Sequence, residues 1–269
     1  MTDFRAANLA NWNLRARLHR RDATGTYDVA GFLAGRDPLN AVEAAEIGDV
    51  RRKRIAHLQC HFGQDSLALV RRGATVVGLD FSPVAIAAAR ELAAEARLDA
   101  TFVEADLYDA RARLSGAFDL VYATWGTISW LPDVRRWAAV AASLLAPGGA
   151  VYLADTHPSA MVLDERDGRL EPTYGWRTPP DRPDRFVEAK SYTGDPFPEP
   201  SESFNWIHPL SDVVGGLLDA GLRLAFLREH EVLPYRLYPS MVPAGGGLYR
   251  LPDGAVPFPL SFSLRAERV

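Results

Sequence analysis

Between residues 54 and 154 the chain alternates short apolar runs with helix-forming stretches, and this alternation constrains the fold more than any other feature. Residues 54–59 form the first strand candidate, 75–79 a β-branched second, 101–105 a third, 118–122 a fourth and 150–154 a fifth. These are continuous apolar runs, the pattern of strands buried on both faces of a parallel sheet. Between them lie helix signals. Asp65 caps a stretch to about Arg72 that Gly73 closes, and Ser82 with Pro83 opens an Ala-rich stretch to about Ala96. Pro132 and Asp133 open another to Leu145, followed by a turn at 147–149. Strand and helix in alternation with short connections imply crossover units and a doubly wound α/β domain over roughly residues 50–155.

The flanks read differently. Residues 8–21 suit a helix anchored by Leu9, Trp12 and Leu18, and 27–33 is a second short apolar patch. Residues 156–205 are rich in Pro, Asp, Arg and aromatics. So long a break inside a compact domain reads as a substrate-side insertion, with a strand at 186–193. Ser211 caps a helix through Ala220, and 222–233 and 260–266 read as late strands. The expected organisation is one domain over 1–269: a helical cap (1–50), a ligand-binding core (51–155), the insertion (156–205) and a closing helix and strands (206–269).

In open α/β sheets ligands bind beyond the carboxyl ends of the strands, and four strand ends carry suggestive residues. The loop Gln59-Cys-His-Phe-Gly-Gln-Asp65 holds Gly63, which permits close approach of backbone to a ligand, with helix N–H groups beyond it. Asp80, at the second strand end, is placed to accept both ribose hydroxyls of a nucleoside. Asp106, at the third, suits an adenine amino group. Thr124-Trp-Gly126 follows the fourth, where a reacting group would sit. Each acid alone has an ordinary alternative as a turn former or helix cap.

The ordered set resembles the class I S-adenosylmethionine-dependent methyltransferases. The matching pieces are His-Leu-Gln-Cys-His-Phe-Gly (57–63), Val-Val-Gly-Leu-Asp-Phe-Ser (76–82), Val-Glu-Ala-Asp (103–106), Phe-Asp-Leu-Val-Tyr (118–122) and Leu-Ala-Pro-Gly-Gly (145–149). The resemblance implies a Rossmann-like seven-stranded sheet, S-adenosylmethionine as cofactor, and methyl transfer to a small-molecule acceptor at N or O. It places the methionine part on Gly63 and its loop, including Gln59 and His61. The ribose falls on Asp80, the nucleoside along Phe81 and Ser82, and the adenine on Asp106 and Leu107. Thr124 completes this side, and Trp12 from the N-terminal segment is expected to close it. One departure stands out: the family's first motif has an acid and three alternating glycines. Here His57 holds the acid's place, and Gln59 and His61 hold those of the first two glycines.

A base is needed if the acceptor is a hydroxyl or an ammonium. His157, after the fifth strand, is the first candidate and His208 the second, each with a structural loop or core role as its alternative. Trp125, Trp130, Tyr174, Tyr192 and Trp206 are candidates to line the acceptor site, though aromatics are also ordinary core material. His57, Cys60 and His61 are compact enough to suggest zinc. His57 lies inside a strand and no fourth ligand accompanies them, so no metal is expected. The net charge of −4 leans against a nucleic-acid partner. So does Ala123-Thr-Trp-Gly126, where methyltransferases of exocyclic amines carry Asn/Asp-Pro-Pro-aromatic. An NAD oxidoreductase loses ground for want of the first two glycines. A cofactor-binding scaffold without activity stays open, because fold alone does not establish function. One cysteine and the lack of a signal peptide or an 18-residue apolar run point to a cytoplasmic protein without a membrane span, monomer or homodimer.

Overall fold

The computed structural model describes residues 3–269. The chain opens with helices α1 (Phe4–Arg21), α2 (Val29–Leu33) and α3 (Ala41–Glu46). The alternating core follows as β1 (Arg54–Leu58), α4 (Gln64–Arg71), β2 (Thr75–Asp80), α5 (Pro83–Ala96), β3 (Thr101–Glu104), α6 (Ala110–Arg113), β4 (Phe118–Thr124), α7 (Val134–Leu144) and β5 (Leu145–Thr156). A short α8 (Pro158–Met161) leads into β6 (Leu163–Arg166), β7 (Arg169–Pro172), β8 (Asp184–Lys190) and β9 (Pro196–Asn205). The chain closes with α9 (Leu210–Asp219), β10 (Arg223–His230), β11 (Val242–Gly245), β12 (Leu248–Arg250) and β13 (Ser261–Glu267).

Seven strands form one sheet in the order β10-β13-β5-β4-β1-β2-β3. β1 pairs in parallel with both β2 and β4, so the strand order reverses there and leaves a crevice at the carboxyl ends. β13 runs antiparallel between β5 and β10. Both faces are covered, which explains the continuous apolar runs. Along β4, Val121 and Ala123 pack with Trp137, Ala138 and Ala141 of α7. Leu120 and Tyr122 face the other way, with Leu69 of α4 and Ile47. Each such fully buried large apolar side chain stabilises the fold by roughly 1.5–3 kcal/mol.

Local departures from expectation have local causes. α4 starts at Gln64 with Gly63 as its N-cap, so Asp65 lies in the first turn and does not cap. Pairing of β5 begins at Leu145, before the expected turn. Gly148, at φ 75°, lets the chain bulge while its N–H donates to Arg268 O. Pro209 stands at the N-cap of α9 and no side chain caps it, Ser211 included. The insertion makes two hairpins, β6–β7 and β8–β9, where one strand at 186–193 was expected. The β8–β9 hairpin packs on α1: Asn8 donates to Phe204 O and accepts from Phe204 N, both at 2.8 Å.

Candidate active site

A cavity of about 1770 Å³ opens at the carboxyl ends of β1, β2, β3 and β4, roofed by α1 and the insertion. Single-ligand pockets usually span about 300–1,000 Å³, so this one has room for two small molecules.

Its floor is the loop from β1 to α4. Gln59, His61 and Gly63 all adopt left-handed backbone, at φ 55°, 53° and 77°. The alternating conformation that glycines adopt freely is thus kept by two residues for which it is strained. Gly63 is glycine for a second reason: a Cβ there would lie 2.6 Å from the Phe102 ring and 2.9 Å from Ala89 Cβ. Asp80 fixes the loop, since its Oδ2 accepts from His61 N at 2.9 Å and its Oδ1 from Ser82 N at 2.9 Å. Burial raises the Asp80 carboxyl to about 6 against the pull of these N–H groups. Gln59 donates through Nε2 to Thr127 O at 2.8 Å. Gln59 Oε1 and His61 Nδ1 are buried without a hydrogen-bond partner.

The wall beyond β4 is held by Asp155, 1% exposed at the end of β5. Its carboxylate accepts from Gly126 N at 2.7 Å, Thr127 N at 2.9 Å, Ile128 N at 3.0 Å and Thr127 Oγ1 at 3.0 Å. Trp125, itself left-handed at φ 57°, donates from Nε1 to Glu43 Oε2 at 3.1 Å. Tyr122 donates to the same oxygen at 2.5 Å. Burial, then the nearby Asp65, raises Glu43 to about 8.

The structure brings most of the expected site residues together. Gln59, His61, Gly63, Asp80, Phe81, Asp106, Leu107 and Thr124 line the cavity on the core side. Trp125 and Trp130 line it from the segment after β4, Trp12 from the cap, Tyr174 and Tyr192 from the insertion and Trp206 just beyond it. Trp12 stands edge-on between His61 and Trp130, with ring centroids 5.2 and 5.0 Å away. Asp106 accepts from Tyr108 N at 2.9 Å and from Arg5 Nε of α1 at 2.5 Å, so α1 reaches across its end of the cavity.

Three expected residues lie elsewhere. Ser82 is outside the lining; its Oγ caps α5 by accepting from Ala85 N at 3.0 Å and donates to Asn13 Oδ1 at 2.7 Å. His157 is outside it as well. It caps α8, where its Nδ1 accepts from Ser159 N at 3.0 Å while its Nε2 pairs with Glu229 at 2.9 Å. His208 is spent on Leu131 O at 2.8 Å. Neither histidine lines the cavity, so the structure does not bring the two expected bases to it. Burial lowers the pKa of both. The compact His57, Cys60 and His61 trio points apart: His57 meets Ser66 Oγ at 2.7 Å, Cys60 packs on Gly78, and His61 Nε2 meets His19 Nδ1 at 2.9 Å. Among the described residues no cluster of three His, Cys, Asp or Glu side chains is placed to hold a metal ion. No helix among them is long and apolar enough to cross a membrane.

Sequence reasoning missed Asp155, Glu43, Arg15 and His19. Asp155 had a signal, an acid at a strand end, which was read at Asp80 and Asp106 but not there. Arg15 and His19 belong to a polar stripe on α1 (Asn8, Asn11, Arg15 and His19) that is buried. A polar helix face normally reads as solvated.

Residues 56–151, just over a third of the chain, match the family model described as a methyltransferase domain. The ubiquinone biosynthesis O-methyltransferase of Xanthomonas campestris pv. campestris (strain B100) is 28% identical over 134 residues, 47% of this chain and 56% of that protein. The enzyme of the same name from Ralstonia nicotianae is 31% identical over 110 residues, 41% of this chain and 46% of its own. The chain thus spans about half the length of the curated relatives it matches. Among solved structures, an S-adenosylmethionine-dependent methyltransferase from Mesorhizobium loti superposes with a TM-score of 0.59 at 21% identity, over 88% of this chain and all of that one. One described as a putative S-adenosylmethionine-dependent methyltransferase, from Listeria monocytogenes, gives 0.57 at 13% identity, over 84% and 95%. The sheet order, the switch-point cavity and the match over residues 56–151 give the chain a methyltransferase domain with the Rossmann-like fold of S-adenosylmethionine-dependent methyltransferases.

Proposed function

We propose that the protein is an S-adenosylmethionine-dependent methyltransferase of a small molecule, acting on oxygen. The observation that carries the reading is the loop whose residues 59, 61 and 63 hold alternating left-handed backbone against Asp80 in a two-ligand cavity. The residues present fit the cofactor. Asp80 and Asp106 offer carboxylates to a ribose and an adenine amino group, and Phe81 and Leu107 offer apolar walls. Gln59 Oε1 is a buried acceptor with no protein donor, as an ammonium group requires. It stands in for the acid that His57 displaces. When bound, S-adenosylmethionine supplies an electrophilic methyl group.

The chain's own contribution is orientation and exclusion of water. Asp155 and Glu43 lock the loop after β4, so Trp125 and Trp130 present fixed faces. Trp12 and Arg5 of α1 cover the cavity from above. The aromatic-walled cavity, with room for an acceptor beside the cofactor, favours a small-molecule acceptor, and the names of the curated relatives favour oxygen as the atom methylated. The chain is read as one working unit, with residues 1–50 as cap and 156–205 as acceptor-side insertion.

Calorimetric titration with S-adenosylhomocysteine, with NADH as control, tests the reading. Micromolar binding of the first alone supports it. Failure to bind either ligand refutes it.

A further inference from the structure

The buried face of α1 is polar, which is the reverse of an ordinary surface helix. At its centre Arg15 is 3% exposed. Its guanidinium carbon lies 5.8 Å from the Trp12 ring centroid, 5.9 Å from Trp130, 5.5 Å from Tyr192 and 5.5 Å from Phe197. A buried cation needs anionic or hydrogen-bonding partners. Arg15 Nε donates to Asn11 Oδ1 at 2.6 Å, and Nη2 pairs with Glu188, whose side chain is 40% exposed. Nη1 has no acceptor among the described residues, and Arg15 lines the cavity.

Nothing else on this wall explains so expensive a group. His61 and His19 stand beside it. Burial, with Arg15 adding to it, lowers His61 to about 3, and burial with His61 and Arg15 lowers His19 further still, so of these three neighbours Arg15 carries the positive charge. His61 Nδ1 is one more buried polar atom there without a partner. The planar fork of an arginine is the side chain best matched to a carboxylate. Aromatic rings around it exclude water and strengthen the pairing.

We infer that Arg15 is the carboxylate receptor of this cavity, binding a ligand carboxylate through the guanidinium edge that Glu188 leaves free. The carboxylate comes from one of two sources: the amino-acid end of the adenosyl ligand, whose loop His61 belongs to, or an acidic acceptor on the Trp130 side. Only the first source rests on the function proposed above.

The test compares the wild type with Arg15→Met by calorimetry, using three probes. These are S-adenosylhomocysteine, methylthioadenosine (which lacks the amino-acid end) and benzoate added to the methylthioadenosine-containing protein. Loss of a charge-assisted pair weakens binding roughly ten- to hundredfold. A loss of that size for S-adenosylhomocysteine with methylthioadenosine unchanged supports the inference and assigns the amino-acid end. Loss for benzoate alone supports it and assigns the acceptor. Unchanged affinity for all three overturns it. Glu188→Gln, at a half-exposed side chain, removes the charge that offsets the guanidinium and is expected to tighten binding of the carboxylate probe several-fold. No tightening there overturns the inference even if Arg15→Met fails to fold. Wild-type protein that binds neither adenosyl compound refutes the proposed function, and benzoate titrated into the ligand-free wild type and Arg15→Met then decides Arg15 by itself.

Discussion

Gly63→Ala tests the floor of the cavity most directly. Two penalties act there. A left-handed backbone costs an L-residue about 1–2 kcal/mol, partly offset by about 0.4–1 kcal/mol from the stiffer unfolded chain. The new Cβ would also meet Phe102 ring atoms at 2.6 and 2.7 Å and Ala89 Cβ at 2.9 Å. Phe102 cannot step aside, because it is 4% exposed and already abuts Gly78, where a Cβ would lie 2.8 Å from the same ring. Overpacking of this kind costs about 1–3 kcal/mol. Gly148→Ala is the matched control: its φ is 75° and nothing lies within 4 Å of its Cβ. The difference between the two variants therefore isolates the contact. Urea unfolding is expected to show Gly63→Ala less stable than Gly148→Ala by about 1–3 kcal/mol. In thermal melts each kcal/mol appears as a drop of about 2–4 °C for chains near this size. Equal stabilities, within about 0.5 kcal/mol, would refute the claim that Gly63 is required for close packing of the loop against β3 and α5.

Asp80→Ala is expected to reduce S-adenosylhomocysteine affinity strongly and Asp106→Ala less, since Asp106 is more exposed and already paired with Arg5. Because the Asp80 carboxyl is raised to about 6, wild-type affinity should fall as pH drops below 6, by up to about tenfold per unit; a flat calorimetric profile would count against Asp80. Glu43, raised from 4.5 to about 8, binds a proton more tightly folded than unfolded. Its contribution to stability is thus fully present below pH 4.5 and is lost as pH rises to 8. Glu43→Gln should flatten urea-unfolding stability across this window. Asp155→Asn keeps one acceptor oxygen for a loop that uses two, and should cost about 2–4 kcal/mol while changing the fluorescence of Trp125 and Trp130. His157→Ala should lose about 1 kcal/mol from its cap and leave S-adenosylhomocysteine affinity intact.

The parallel core was legible because buried strands announce themselves as continuous apolar runs, and their ends as Asp80 and Asp106. The insertion was legible only as an interruption. Its hairpin β6–β7 is short and half-exposed, and β8–β9 is rich in polar residues and held in place by α1. His157 and His208 misled for a related reason. A histidine just past a strand or before a helix is at the right address for a base, but His157 caps α8 through Ser159 N and His208 reaches Leu131 O in the segment after β4.

The altered first motif is where sequence and structure inform each other most. Glycines at positions 59 and 61 would make the left-handed loop without strain and leave it bare. Gln59 and His61 accept the strain, of order 1–3 kcal/mol each, and in return bring side chains to the cavity. Gln59 ties the loop to Thr127 on the far side of the switch point. His61 joins it to Trp12 and His19 on α1. The loop, the segment after β4 and the cap thereby become one connected wall. Along α1, Asn8 and Asn11 bond to Phe204 and Ser201 of β9, Arg15 lines the cavity, and His19 bonds to His61 from behind it. The altered motif and the buried polar stripe thus meet at the His61–His19 contact, where the N-terminal helix joins the cavity wall.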